Sequence, residues 1–226
     1  MSHSGSEAFP TTISTAPYDA IILDLGGVII NLDLQRCFER FLEHVPNIDP
    51  STFVGKPQQL DFYSDFEIGK IESQELLKRF NEHHGSSLSM NLFSDCWNSM
   101  VLDFPPGRIE RLKALGKKKR LFLLSNINEI HEEVLHKRYE RFSTEPFSRL
   151  FERMYLSHRI GMRKPDPEVF QHLIDENGLE PERTLFIDDS KQHIVGAAKT
   201  GIKAVHLTEP HTLETLLEGK YPFDHL

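Results

Sequence analysis

Four polar groups in the sequence carry side chains that could act together on one small substrate. Asp24 interrupts the apolar run AIILDLGGVII at 20–30, Ser125 and Asn126 close LFLLSN, Lys164 sits in GMRKPDP, and Asp188 and Asp189 close FIDD. Taken singly, each fits a bland role: the aspartates and the serine as turn or helix caps, the lysine in solvent. Their order, each at or beside the end of an apolar strand pattern, argues for a common site. Three converging carboxylates would repel and raise one another's proton affinity. A divalent cation resolves that conflict, and an all-oxygen set without Cys or His points to a hard ion, Mg²⁺ rather than zinc. The Ser125 hydroxyl, the Asn126 amide and the Lys164 ammonium near such an ion could hold a dianionic phosphoryl group, leaving one carboxylate free to attack phosphorus. Asp24, on the first-strand loop, is the expected nucleophile.

The elements that must position these residues follow from hydrophobic periodicity. Ala20 to Leu23 reads as a buried strand ended by the glycine turn Gly26-Gly27. From 106 onward the pattern alternates: helix PGRIERLKALGKKK, strand RLFLLSN, helix NEIHEEVLHKRYERF, short strand at 154–156, helix PDPEVFQHLIDENG, strand TLFIDDS, helix QHIVGAAKTG, strand KAVHL and helix HTLETLLEG. Such alternation predicts an α/β domain with a parallel, Rossmann-like sheet covered on both faces. Between 32 and 105 the pattern is helical. LDLQRCFERFLEHV places Leu34, Cys37, Phe38, Phe41, Leu42 and Val45 on one stripe, and ESQELLKRFNEHHG and NLFSDCWNSMV follow suit. The expected organisation is a lead-in at 1–17, a core from 18–31 and 106–226, and a helical cap inserted at 32–105.

Length and composition narrow the function classes. A chain of 226 residues suits one compound domain rather than two independent ones. Its net charge of −8 disfavours nucleic-acid or anionic-membrane partners. The basic run GKKKR at 116–120 is read as a solvated connection. The two cysteines, Cys37 and Cys96, lie far apart and are expected as packed thiols in a reducing cytosol. The Ser/Thr/Pro-rich start lacks the apolar core of a signal peptide, and no run approaches the ~20 residues needed to cross a bilayer. A cytoplasmic protein, monomeric or a small homo-oligomer, is expected.

The ordered set DLGGV, LLSN, GMRKPDP and FIDDS resembles the four motifs of the haloacid dehalogenase-like hydrolases, over Tyr18 to about Leu207. The insert resembles that family's first-type cap. The resemblance implies a phosphatase in which Asp24 becomes an aspartyl-phosphate, Ser125 binds the phosphoryl group, and Lys164 steadies nucleophile and phosphate. It also implies Mg²⁺ held by Asp24, Asp189 with Asp188, and the backbone carbonyl of Gly26. Most phosphatases of the family carry a second Asp two residues after the nucleophile, as the general acid and base; here Gly26 stands there. Asp33, Arg36, His83 and His84 are candidate replacements, with an exposed helix end favoured for the histidine pair. His193, where many relatives carry another acid, is read as facing solvent.

The glycine, together with GMRKPDP and FIDDS, resembles a branch that includes bacterial sugar-phosphate phosphatases, such as those for glucose 1-phosphate, and the set also resembles the amino-terminal phosphatase domain of bifunctional epoxide hydrolases, whose usual second Asp is absent here. The expected substrate is therefore a small phosphorylated metabolite, a sugar phosphate first. A 2-haloacid dehalogenase would also use Asp24 but needs no cluster of acids around it. A non-catalytic phosphate-binding module would fit the missing acid but has no need of Asp24 and Lys164.

Overall fold

The computed structural model describes residues 15–51 and 60–218, so most of the 1–17 lead-in lies outside the described residues. Five strands, β1 (Ala20–Leu23), β2 (Arg120–Ser125), β3 (Arg153–Leu156), β4 (Thr184–Asp188) and β5 (Lys203–His206), form one sheet. The order is β3-β2-β1-β4-β5, and every neighbouring pair is parallel. The chain starts at the centre, steps outward twice on one side, then crosses to the other. The strand order therefore reverses between β1 and β4, where open α/β sheets hold ligands beyond the carboxyl ends. Leu23 pairs with Leu123 on one side and Ile187 on the other, so Asp24, Ser125 and Asp188 emerge side by side at that edge.

Strand side chains alternate between two buried layers. Ile22, Phe122, Leu124 and Phe186 meet helices α8 (Pro167–Asn177) and α9 (Lys191–Ala198) through Val169, Phe170, Leu173 and Ile194. Ile21, Leu23, Leu123 and Ile187 face α5 (Arg108–Gly116), α6 (Glu129–Tyr139) and α10 (Leu213–Leu217) through Ile109, Leu112, Leu135 and Leu213. The short helix α7 (Ser157–Ile160), which the sequence reading did not anticipate, follows β3 directly.

The segment after β1 holds α1 (Leu34–Leu42), α2 (Asp61–Glu67), α3 (Ser73–His84) and α4 (Met90–Asn98), with no named strand among its described residues. Its centre is aromatic: Phe41 lies 5.0 Å from Phe80 and 5.4 Å from Phe93, and Trp97 stacks on Tyr63 at 5.4 Å. Pairs of this kind add ~0.5–1.5 kcal/mol each beyond their buried area. Cys37 and Cys96 are buried free thiols here. Leu34, expected on the buried stripe, is instead exposed. Outgoing and returning chains are stitched together: Leu32 bridges Val101 antiparallel, Asp33 N–H donates to Met100 O at 2.8 Å, and Leu102 N–H to Asn31 O at 3.0 Å. Lys119 of the basic run is engaged rather than simply solvated, its Nζ donating to Ala16 O at 3.1 Å and also to Tyr18 O.

Candidate active site

The motif residues converge on one cleft of about 770 Å³ between the sheet edge and the helical insert. At its floor, the fully buried Lys164 reaches Asp24 Oδ1 at 2.8 Å and Asp188 Oδ2 at 2.6 Å. An ammonium buried without partners would lose its proton; burial does pull that way here, but Asp188 and Asp24 outweigh it and hold the Lys164 pKa above its ordinary value. The same contacts hold Asp188 well below the usual carboxylate range against its own burial, with His193 helping. Asp24 goes the other way, pushed up by burial and then by Asp188, with Lys164 opposing.

Each side chain is held from a nearby element. Leu25 N–H donates to Asp24 Oδ1 at 2.7 Å. Asp188 Oδ1 accepts from Ser190 N–H at 2.7 Å and lies 2.9 Å from His193 Nδ1. His193 is therefore not a solvent-facing residue, as the sequence suggested, but a half-buried partner of Asp188. The Asn126 carboxamide clamps the backbone of Lys164 at both ends, donating to Lys164 O and accepting from Lys164 N–H, each at 2.9 Å. Ser125 lines the cleft, and its hydroxyl has no hydrogen-bond partner among the described residues.

Asp189 is exposed to the cleft and forms no direct ion pair among the described residues. Its carboxylate overhangs the nucleophile loop: a Cβ on Gly27 would stand 2.1 Å from Asp189 Oδ2. Gly27 has φ +69°, so both backbone conformation and close approach demand glycine there. The turn's backbone hydrogen bonds end on the Leu25 and Ile30 carbonyls, and none among the described residues ends on Gly26 O. Asp24, Asp189 and the Gly26 carbonyl thus offer an all-oxygen donor set that fits a hard divalent cation. Asp24, Asp188 and His193 also offer ligand atoms within 4.8 Å of one another, with Lys164 Nζ in contact with both of those carboxylates.

Gly26 is more than an omission. A Cβ at this position would stand 2.5 Å from Leu32 Cδ1, so an apolar side chain fills the space an acid at 26 would enter. The expected replacements are not in the cleft. Asp33 caps α1, accepting from Arg36 N–H at 2.9 Å, and Arg36 is exposed. His83 packs against Phe62 and His84 against Phe80 within the insert.

The sequence reading also missed several lining residues. Trp97 and Met100 come from the end of the insert and His131 from α6, while Glu67 of α2 pairs with Arg163 at 2.9 Å across the cleft. His131 had a usable signal, in the first turn of the helix that follows a polar strand end; Glu67 had none.

A family model for haloacid dehalogenase-like hydrolases matches residues 21–207. The chain belongs to that family. This hydrolase is 28% identical over 176 residues to a D-ribitol-5-phosphate phosphatase from Bacteroides thetaiotaomicron, covering 77% of this chain and 84% of the relative. It is 34% identical over 203 residues to a GMP/IMP nucleotidase from Escherichia coli, covering 82% and 80%. The crystal structure of a wild-type family enzyme from Bacteroides thetaiotaomicron, in complex with magnesium and inorganic phosphate, superposes with a TM-score of 0.79 at 31% identity, covering 88% of this chain and 98% of that one. No described helix of the hydrolase is long and apolar enough to cross a membrane.

Proposed function

We propose that the hydrolase cleaves the phosphate monoester of a small metabolite with Mg²⁺ as cofactor, by way of an aspartyl-phosphate on Asp24. That it is a phosphatase acting on small phosphorylated compounds follows from its family and from relatives of that activity. The finer reading rests chiefly on one observation: Lys164 Nζ lies between Asp24 and Asp188, beside an unpartnered Ser125 hydroxyl and an unpaired Asp189.

Asp24 Oδ attacks phosphorus and the leaving alcohol departs on the far side; water then attacks the acyl-phosphate and returns the carboxylate. Lys164 and the Ser125 hydroxyl hold the non-bridging phosphoryl oxygens as charge shifts. Asn126 fixes the loop that carries Lys164, leaving its backbone amide rather than its carboxamide for the phosphoryl group. Asp188, with His193 behind it, keeps Lys164 charged and aimed. Asp24, Asp189 and the Gly26 carbonyl would hold Mg²⁺, with Asp188 at the edge of the set, and the ion would screen the charge that gathers around nucleophile and phosphate. The insert at 32–105 serves as the cap that excludes water. No acid stands at position 26, so departure depends on the alcohol's own acidity. A glycosyl phosphate meets that need, which keeps sugar phosphates first among the substrates.

The test is phosphate release from sugar, nucleotide and aryl phosphates, with and without Mg²⁺. Metal-dependent release is expected, abolished in Asp24→Asn, with Asp189→Asn requiring at least about tenfold more Mg²⁺. Release that ignores metal and survives Asp24→Asn would refute the reading.

A further inference from the structure

Beyond the phosphoryl end, the cleft is walled mainly by apolar side chains, Leu32, Trp97, Met100 and Val101 among them. Glu67 and Arg163 in the same wall are paired with each other. Arg163 Nε also lacks a hydrogen-bond partner, but its guanidinium is anchored through Nη2; the ring of His131 has no polar contact at all among the described residues. His131, in the first turn of α6, lines the cleft and is 8% exposed. Its Nε2 is buried without a hydrogen-bond partner, and among the described residues neither ring nitrogen meets a donor or acceptor; its one ring contact is Trp97, at 5.6 Å. The backbone N–H of His131 is already satisfied by the Asn128 cap at 3.0 Å. Buried polar groups without partners are rare because each costs its desolvation, and they mark places where an absent molecule supplies the bond.

Resting on the phosphatase reading, we propose that His131 is a specificity-determining residue, whose imidazole makes one hydrogen bond to a hydroxyl or carbonyl oxygen of the leaving group while an apolar face of that group lies against Trp97 and Met100. The substrate class is then a phosphate ester with a C–H-rich face and a polar oxygen on one side, a description a sugar ring or a hydroxylated alkyl chain meets. Burial pushes the His131 pKa down to about 3, so the ring stays neutral at working pH. A neutral imidazole carries one N–H and one lone pair and can serve as donor or acceptor, but it is no source of the missing acid's proton. His131 is six residues after Ser125 on the strand–helix turn that carries the phosphate group, so one rigid unit would measure the distance from phosphorus to the recognised oxygen.

The test compares wild type with His131→Phe, which keeps an aromatic ring against Trp97 and removes both nitrogens, and with His131→Gln, which keeps a donor and an acceptor. The substrates are hexyl phosphate, its analogues hydroxylated at successive carbons, glucose 1-phosphate and phenyl phosphate. Wild type should prefer at least one hydroxylated ester over hexyl phosphate by about five- to tenfold in kcat/KM, the worth of one hydrogen bond between neutral groups. His131→Phe should erase that preference through KM, with kcat and phenyl phosphate turnover unchanged, and His131→Gln should restore part of it. Equal losses on every ester, or none, in a variant that still cleaves phenyl phosphate would overturn the role of His131 and leave the phosphatase reading standing. No release of phosphate from any ester by wild type would overturn both.

Discussion

At the residue scale, the unusual feature is that Leu32 stands where the family's second aspartate would point. Gly26→Asp would bring its Cβ to 2.5 Å from Leu32 Cδ1, so the tip of that exposed side chain must swing aside, and the gain on alkyl phosphates should be smaller than when Leu32 is also shortened. Gly26→Asp with Leu32→Ala should raise kcat on alkyl phosphates by at least about tenfold, the low side of what general acid catalysis supplies, and should narrow the gap to aryl phosphates. Steady-state kinetics on a matched alkyl and aryl pair reads this directly; an unchanged gap would mean another group already protonates the alcohol. Asp24, Ser125 and the Asp188-Asp189 pair were legible because each closes a strand pattern, and Lys164 because it sits in a proline-stiffened loop just before a helix start. Leu32 was not, since it arrives by the fold of a loop that periodicity does not describe. His193 was misread because a histidine at the start of a helix looks like solvent until the preceding strand end, with Asp188, is placed beneath it.

At the scale of elements, the site depends on ties between helices that do no chemistry. Glu132 of α6 lies buried among His158 Nε2 at 3.0 Å, His136 Nε2 at 3.2 Å and Arg159 Nη2 at 2.7 Å. Burial raises its pKa, but the hydrogen bonds from His158 and His136 and the Arg159 charge outweigh that and bring it to about 2. A carboxyl depressed in the folded state contributes stability above its unfolded value, near 4.3, and loses that contribution as pH falls through the folded one. Glu132→Gln should cost about 2 kcal/mol at pH 7, and its deficit against wild type should shrink between pH 5 and pH 2. Urea melts across that range check it; a deficit constant with pH would contradict the assignment. The buried Arg108 of α5 makes a second tie, binding Glu214 of α10 at 2.6 Å and Val28 O at 2.9 Å, so it braces the nucleophile loop from behind. Arg108→Ala should cost about 3 kcal/mol, since it strands part of that network, and the melting temperature should fall accordingly.

At the scale of the whole molecule, a sheet with its strand order reversed between β1 and β4 supplies the chemistry, and the helical insert supplies the walls. The alternation of strands and helices and the inserted helices were readable from periodicity and turn residues. The helix Asp61–Glu67 and the meeting of Glu67 with Arg163 were not, because contacts between insert and core depend on how two packed bodies face each other. That ion pair sits beside Lys164 and joins the two. Glu67→Gln should weaken the contact between insert and core and lower kcat/KM about fivefold on every ester alike, the worth of ~1 kcal/mol. Equal kinetics in the variant would show that the cleft's activity does not depend on this pair.

A covalent intermediate on Asp24 can be trapped by acid-quenching the Mg²⁺-loaded protein during turnover of phenyl phosphate and weighing the peptide that contains Asp24. Without an acid or base at position 26, water should attack slowly and the intermediate should accumulate. The expected result is a fraction of that peptide heavier by one phosphoryl group, absent in Asp24→Asn. Sustained turnover with no phosphorylated peptide, or turnover that survives Asp24→Asn, would contradict it.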